Sequence, residues 1–435
     1  MKAQLKTFDV AMLGVSMVIG VGIFRTPAMV ASKAGSVELF LAAWVVGALI
    51  SYCGALTFAE IGSRYPVVGA FYKIFSYCYH PSAAFSLNWS LIIMNASSSA
   101  TVALIGAEYL ASVLDPTGVQ KELIQIIVVS TLTILYTANV IGIRAGATLQ
   151  NVLSVVKIVL VLFFCAGIFL SAPESSGNVA VPQPMGSNTV ALFFAAMVPI
   201  FFSYGGYQNA INFGRDTHNA VKTMPRAILI SMVIVMVLYV TLNVSYVHAL
   251  GFENCVNSPL IASALGERLL GSIGRNFTAV VIFLSVAGFL NSTFMFNPRL
   301  MYAMAEEGML PSMFMRTNSK IQVQTFSLTV FFALVLIAFY SLGSFDQLLR
   351  YVMFNDTLIL ALAASCIFIL RKRGVGEGAV YSVPSLVIPI IFICTLLGMT
   401  MSVVSEDPIR SLAAIGVFAV GFVLWWVRTT LVKNT

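Results

Sequence analysis

Long apolar runs dominate this chain, and short polar connections separate them. A helix needs about 20 mostly apolar residues to cross the hydrocarbon core of a bilayer. Runs of that length occur twelve times, so the pattern predicts an all-α polytopic membrane protein with twelve transmembrane helices. The predicted spans are 9–33, 38–62, 84–113, 123–142, 148–170, 189–214, 226–250, 276–305, 325–343, 346–370, 383–404 and 410–430.

Two of the connections are themselves partly apolar. Residues 66–80 and residues 256–271 mix apolar and polar positions, a pattern typical of short helices at a membrane interface. Residues 171–188 are instead rich in Pro, Ser and Gly, which predicts a plain external loop.

The first and sixth spans contain residues that interrupt a helix. The first has Gly20-Val21-Gly22 followed by Pro27, and the sixth has Pro199 followed by Ser203-Tyr204-Gly205-Gly206-Tyr207. Unwound backbone persists inside a membrane only where it lines a cavity or a ligand site. Small residues can also serve only to let helices pack closely. Because the two interruptions match in position and lie five helices apart, they favour an inverted repeat with a binding site between its halves.

The composition agrees with a membrane protein and gives its orientation. Hydrophobic residues make up 59% of the chain and charged residues only 9%, whereas a soluble domain has about 25% charged residues. With the N-terminus inside, 16 of the 24 Lys and Arg residues lie on the cytoplasmic side, as the positive-inside rule requires. Both termini are therefore predicted to be cytoplasmic. The net charge of +7 reflects topology, and no nucleic-acid partner is expected.

The sequence does not predict an enzyme. It has no H-E-x-x-H, no G-x-S-x-G and no paired-aspartate motif. Its six Cys and three His residues have no metal-ligand spacing. We therefore expect no catalytic residue, no metal and no cofactor.

Six short motifs, in order along the chain, resemble those of the amino acid–polyamine–organocation (APC) transporters, in particular the bacterial and L-type amino acid permeases. The motifs are Gly20-Val21-Gly22-Ile23-Phe24; Ala59-Glu60 with Tyr65-Pro66; Phe202-Ser203-Tyr204-Gly205-Gly206-Tyr207; Asn219 with Pro225-Arg226-Ala227; 291–299 with 305–311; and Arg371-Lys372-Arg373.

The resemblance implies the LeuT fold, in which helices 1 and 6 are broken. Helices 1–5 (1–170) and 6–10 (189–373) would form the two inverted repeats, with helices 11–12 and the tail (383–435) at the periphery. It also implies a monomer or weak homo-oligomer in the cell (inner) membrane. Mammalian relatives are linked to a glycoprotein heavy chain through a Cys in the loop between helices 3 and 4. Residues 114–122 contain no Cys, so we expect no such partner.

The two helix breaks have the polarity that a zwitterionic amino acid needs. The N–H groups of Val21 and Gly22 begin a half-helix and suit a carboxylate, whereas the carbonyls of Phe202, Ser203 and Gly205 end one and suit an ammonium. By resemblance, the Phe202 ring covers the substrate. The predicted substrate-binding residues are Ile19, Gly20, Val21, Gly22, Phe202, Ser203, Gly205, Gly206, Gln208 and Asn291.

Lys157 lies about nine residues into the fifth predicted span, roughly 13 Å deep at 1.5 Å per residue. Many sodium-independent members of the family have a lysine here, where sodium-coupled relatives bind the ion. The resemblance therefore implies a coupling role for Lys157, in contact with the Gly20 region and with Thr293. The alternative is that its amine snorkels to the cytoplasmic interface.

The resulting prediction is a secondary active transporter of neutral L-amino acids that works by alternating access and is sodium-independent, through exchange or proton coupling. Three departures from the family pattern bear on the substrate: Val21, Arg25 and Arg215-Asp216. A polyamine or organic cation transporter and a transporter-like amino acid sensor are the alternatives. Asp356, near the middle of the tenth span, is either a site residue or the partner of Arg350.

Overall fold

The computed structural model describes residues 6–65, 70–115, 121–141, 155–174, 189–208, 219–317, 323–342, 345–376 and 381–433. Within these ranges the chain is helical and contains no strand. The helices are α1 Thr7–Val18, α2 Gly22–Ala34, α3 Val37–Arg64, α4 Ala70–Cys78, α5 Pro81–Leu114, α6 Lys121–Ile141, α7 Val155–Cys165, α8 Gly167–Leu170, α9 Thr189–Tyr204, α10 Ala220–Leu250, α11 Phe252–Asn257, α12 Ile261–Glu306, α13 Thr325–Leu342, α14 Phe345–Lys372, α15 Val387–Glu406 and α16 Pro408–Lys433.

The all-α polytopic class is confirmed. Eight described helices are long and apolar enough to cross a membrane: α3, α5, α6, α10, α12, α14, α15 and α16. Three shorter apolar helices occupy the predicted fifth, sixth and ninth spans. The first predicted span is divided between α1 and α2. The count of twelve crossings and the LeuT arrangement stay predictions.

The connecting segments are partly helical. The predicted helix within 66–80 is present as α4, and the segment before the eighth predicted span is the beginning of α12. At Gly271 the backbone of α12 has φ 66° and ψ −157°, so the helix bends there. A positive φ is readily adopted only by glycine. Residues 175–188 of the predicted external loop lie outside the described residues.

Prolines inside the helices free backbone carbonyls, and other helices supply the missing donors. A proline has no N–H, so the carbonyl four residues before it loses its helical partner. In hydrocarbon such a carbonyl needs another donor. In three cases a side chain from a distant helix provides it, so each proline creates a tie between two helices. The sets of proline, carbonyl and donor are Pro27, Ile23 and Tyr246 Oη (3.4 Å); Pro199, Ala195 and Lys33 Nζ (3.0 Å); and Pro225, Val221 and Ser63 Oγ (3.2 Å).

A buried ion cluster joins the predicted cytoplasmic ends of α3 and α14. The Glu60 side chain is 0% exposed and accepts from Arg64 Nε at 2.5 Å and from Arg371 Nη2 at 2.6 Å. The Val383 N–H donates to the same carboxylate at 2.6 Å. With several donors, the carboxylate is well compensated for its loss of water. Two motifs that were identified only by their resemblance to the family therefore contact each other directly. They are Ala59-Glu60 and Arg371-Lys372-Arg373.

Candidate functional site

The helix that forms the first predicted span is interrupted at the expected glycines. α1 ends at Val18 and α2 begins at Gly22, with Ile19 0% and Val21 4% exposed between them. The first N–H groups and the last carbonyls of a helix have no partner within that helix. The Tyr239 hydroxyl donates to the Val18 carbonyl at 3.0 Å, so one of these carbonyls is satisfied from α10. The break is therefore buried in the protein.

The helix in the first half of the sixth predicted span also ends at the predicted glycines. α9 stops at Tyr204, and Gly206 has φ +116°, a conformation that side chains disfavour. The Gly206 N–H donates to Gln208 Oε1 at 2.9 Å, so Gln208 caps the segment locally. The predicted second half of this span begins after residue 208 and lies outside the described residues.

The two interruptions touch each other. A Cβ placed on Gly22 would lie 2.9 Å from Ser203 Cα, and one on Gly206 would lie 2.6 Å from the Met17 carbonyl oxygen. The Ser203 and Thr26 hydroxyls are 2.6 Å apart, which adds a direct hydrogen bond between α9 and α2. Predicted residues from positions 19–22 and 203–208 are thus brought together.

Aromatic residues surround the paired breaks, and the sequence reasoning had not placed them in the site. The Tyr204 ring packs against Trp44 and Tyr239, with centroids 5.8 Å and 5.1 Å away. The hydroxyls of Tyr204 and Tyr207 are buried, and among the described residues neither has a hydrogen-bond partner. Their only sequence signal was their position inside the glycine motif. Phe202, the predicted cover, is partly exposed beside them.

Asn291 and Thr293 lie in contacts between helices. Asn139 Nδ2 donates to Asn291 Oδ1 at 2.8 Å, and Ser99 Oγ donates to Thr293 Oγ1 at 3.1 Å. These bonds tie α12 to α6 and α5, a usual role for polar residues in membrane bundles. They support an interhelical role for Asn291, whose place in the substrate site stays a prediction.

Lys157, at the third position of α7, is 3% exposed. Such burial does not suit a side chain that snorkels to the interface. Its contacts with the Gly20 region and with Thr293 stay predictions.

Charged residues cover α2 on the side predicted to be external. Arg25 Nη2 lies 3.3 Å from Glu108 Oε2, and Arg25 Nη1 donates to the Pro259 carbonyl at 2.8 Å. The Tyr109 hydroxyl donates to the Phe24 carbonyl at 2.6 Å. The unusual Arg25 is therefore held by α5 and by the segment before α12, above the break rather than in it.

Arg350 is held in the same way at the end of α14. It donates to Glu406 Oε2 at 2.5 Å, so the pairing of Arg350 with Asp356 that the sequence left open is not what the structure shows.

Comparison with known proteins places this arrangement in a family. The sequence profile described as amino acid permease matches residues 5–427. The human cystine/glutamate transporter is 30% identical over 440 aligned positions, covering 97% of this chain and 84% of that protein. The serine/threonine exchanger SteT of Bacillus subtilis is 28% identical over 375 positions, covering 86% of this chain and 84% of that protein.

A third relative covers less of its own length. The large neutral amino acids transporter small subunit 2 of Mus musculus is 29% identical over 309 positions, which span 68% of this chain and 57% of that protein. The match to the amino acid permease profile by itself already extends over nearly the whole chain. The chain belongs to the amino acid permease family of the APC superfamily, and it is a membrane transporter rather than an enzyme.

Proposed function

We propose that this protein is a sodium-independent secondary transporter of small to medium neutral L-amino acids that works by alternating access. The observation that carries the proposal is the contact between the two helix interruptions, Gly22 against Ser203 and Gly206 against the Met17 carbonyl. The start of α2 and the end of α9 meet at this point, and the first N–H groups and last carbonyls of a helix have no partner within that helix. They suit the α-carboxylate and the α-ammonium of one amino acid.

The preference for a neutral substrate rests on the side chains around this point. The described neighbours are apolar, aromatic, hydroxyl or amide groups, such as Val21, Ser203, Tyr204 and Gln208. Arg25 lies farther along α2 and is paired with Glu108. Burying an unpaired charged side chain among such groups would cost several kcal/mol. The relatives are named for different amino acids, so the preference for a neutral substrate is inferred from the residues around this point.

The proposal extends to the architecture and the setting. Residues 1–170 and 189–373 would be the two inverted repeats, with 383–435 at the periphery, in the cell membrane and with both termini cytoplasmic. We expect no disulfide-linked heavy chain, because 114–122 contain no Cys. All six cysteines are free, and four of them are buried.

We expect neutral amino acids to stabilise the purified protein in a thermal-shift panel. A ligand at a hundred times its dissociation constant stabilises a protein by about 2.7 kcal/mol. Alanine, serine and leucine should raise the melting temperature, whereas their methyl esters should not, since an ester cannot offer an anion to the Val21 and Gly22 N–H groups. If putrescine or cadaverine stabilised the protein and the amino acids did not, a polyamine transporter would be the better assignment.

We expect transport to be independent of sodium. Uptake of radiolabelled serine into proteoliposomes should be unchanged when choline replaces sodium outside. Lys157→Ala should reduce this uptake severely, because a buried cation that holds the first helix is removed, while serine binding in the thermal-shift assay can survive. Strong dependence on sodium would contradict both the mechanism and the role of Lys157.

A further inference from the structure

Asp356 lies on the buried face of α14 and is nevertheless partly accessible. The residues three, four, seven and eleven positions away share its helix face. The side chains of this face are almost completely buried, so Asp356 faces the protein interior and not the lipid. They are Leu349 (3% exposed), Val352 (3%), Met353 (0%), Leu360 (2%), Ala363 (1%) and Ile367 (0%).

Asp356 is close to the second helix interruption. Tyr207, which follows Gly206, lies near enough to Asp356 for the carboxylate to act on its hydroxyl electrostatically. The Tyr207 hydroxyl and the Asn355 Oδ1 atom are buried, and among the described residues they have no hydrogen-bond partner. Buried polar atoms without partners mark places that exchange hydrogen bonds with water or with a ligand. The carboxyl of Asp356 therefore lies near buried polar groups beside the second helix interruption.

Among the residues that the structure describes, the carboxylate has no counter-ion at this depth. In the described part of the chain no ion pair or hydrogen bond of the Asp356 carboxyl is found. Two arginines toward the ends of α14 are paired with other groups, Arg350 with Glu406 and Arg371 with Glu60. An isolated carboxylate within a membrane is costly, and it becomes neutral by taking up a proton.

Other titratable groups near α14 are neutral or lie toward the helix ends. Of the charged groups toward the ends, six are held in ion pairs with neighbouring side chains, namely Glu60, Arg64, Lys73, Glu108, Glu406 and Arg410. The groups on the elements packed against α14 are Glu38, Tyr52, Cys53, Glu60 and Arg64 on α3; Lys73, Tyr77 and Cys78 on α4; Glu108 and Tyr109 on α5; Cys394 and Glu406 on α15; Arg410 and Arg428 on α16; and Tyr207 after α9.

We propose that Asp356 is a proton-binding site, and that each amino acid carried inward is accompanied by one proton on this carboxyl. The carboxylate takes the proton from the outside water when the site opens outward and releases it when the site opens inward. The inference rests on the proposed function, because it names the ion coupled to that transport. Among the described residues, no group of three or more His, Cys, Asp or Glu side chains is placed to hold a metal ion at this carboxyl.

Two assays in proteoliposomes separate proton coupling from transport itself. One measures exchange of radiolabelled serine for unlabelled serine at equal pH, and the other measures net serine accumulation driven by an inside-alkaline gradient. A gradient of one pH unit supports about a tenfold accumulation at one proton per substrate, because one pH unit and a tenfold concentration ratio are equal in free energy. The variants are Asp356→Asn, Asp356→Glu and, as a matched control, Asp407→Asn in the loop between α15 and α16.

The unsubstituted protein, Asp356→Glu and Asp407→Asn should accumulate serine about tenfold. Asp356→Asn should exchange serine normally and not accumulate it. Accumulation by Asp356→Asn would overturn the inference, and so would its loss of exchange, which would make Asp356 part of the substrate site. Exchange without pH-driven accumulation in the unsubstituted protein would overturn the proton site alone and leave the proposed function standing.

A second measurement uses the unsubstituted protein and so does not depend on whether a variant folds. Dicyclohexylcarbodiimide reacts with protonated carboxyls in apolar surroundings. The peptide that contains Asp356 should gain its mass, with less labelling as the pH is raised, whereas the peptide that contains Asp407 should not. No labelling of Asp356 at any pH would overturn the inference.

Discussion

Gly22→Val should abolish amino acid uptake. Even the first carbon of the new side chain would lie 2.8 Å from Ser203 Oγ and 2.9 Å from Ser203 Cα. Backbone at that distance cannot move without displacing α9 from α2. Overpacking of this kind costs about 1–3 kcal/mol. If that cost falls on the transporting conformations, overpacking alone lowers uptake by roughly five- to 160-fold, and the wider helix start also blocks the carboxylate from the backbone N–H groups.

Gly416→Val is the matched control, because a Cβ at Gly416 on α16 would meet no atom within 4 Å. Both variants would be purified, checked for a single folded peak by size exclusion, and assayed for serine uptake in proteoliposomes. The control should transport at the normal rate. Normal transport by Gly22→Val would show that the N–H groups at the start of α2 do not bind the substrate carboxylate.

The helices were predictable because the hydrocarbon core imposes a simple rule of length and polarity. The third predicted span, 84–113, is observed as Pro81–Leu114. The small difference arises at the helix start, where Pro81 occupies the first turn and the His80 side chain accepts from the Ser82 N–H. The hydropathy of the chain does not register such caps, so boundaries were less predictable than the helices themselves.

The side-chain partners were much less predictable. Sequence shows that Glu60 and Arg25 carry charge into apolar spans and that each needs compensation. It does not show that Glu60 meets Arg371, 311 residues later, or that Arg25 meets the Pro259 carbonyl, 234 residues later. Such pairs depend on which helices are neighbours, and the spacing of residues along the chain carries no information about that.

The backbone interruptions at the site were predictable from the sequence, whereas the side chains that surround them were not. Glycine pairs placed both interruptions within a residue or two, since few other residues permit an unwound segment. Tyr204 and Tyr239 were not predicted as site residues. An aromatic residue in an apolar span is equally compatible with the packed core between helices and with the lining of a binding site. Asn291 was assigned to the pocket for its polarity, and the structure shows the same amide bonded to Asn139.

Charge reversal at Arg25 or Glu108 should impair transport, and reversal at both should restore much of it. The two side chains are 17% and 23% exposed, so their attraction is only partly screened by solvent. Arg25→Glu would place two carboxylates together and release α2 from α5 on its predicted external side. We expect uptake to fall about tenfold, the equivalent of roughly 1.4 kcal/mol.

The swapped variant, Arg25→Glu with Glu108→Arg, regains the ion pair but not the bond to the Pro259 carbonyl, so recovery should be partial. Serine uptake and thermal unfolding of all four proteins give a double-mutant cycle, with an expected coupling energy of about 1 kcal/mol. Arg268→Glu is the control, because Arg268 and Glu174 form an ion pair on the same side with both side chains 42% exposed. That variant should transport normally. If the swap were as impaired as the single reversals, the pair would not be what holds α2 in place.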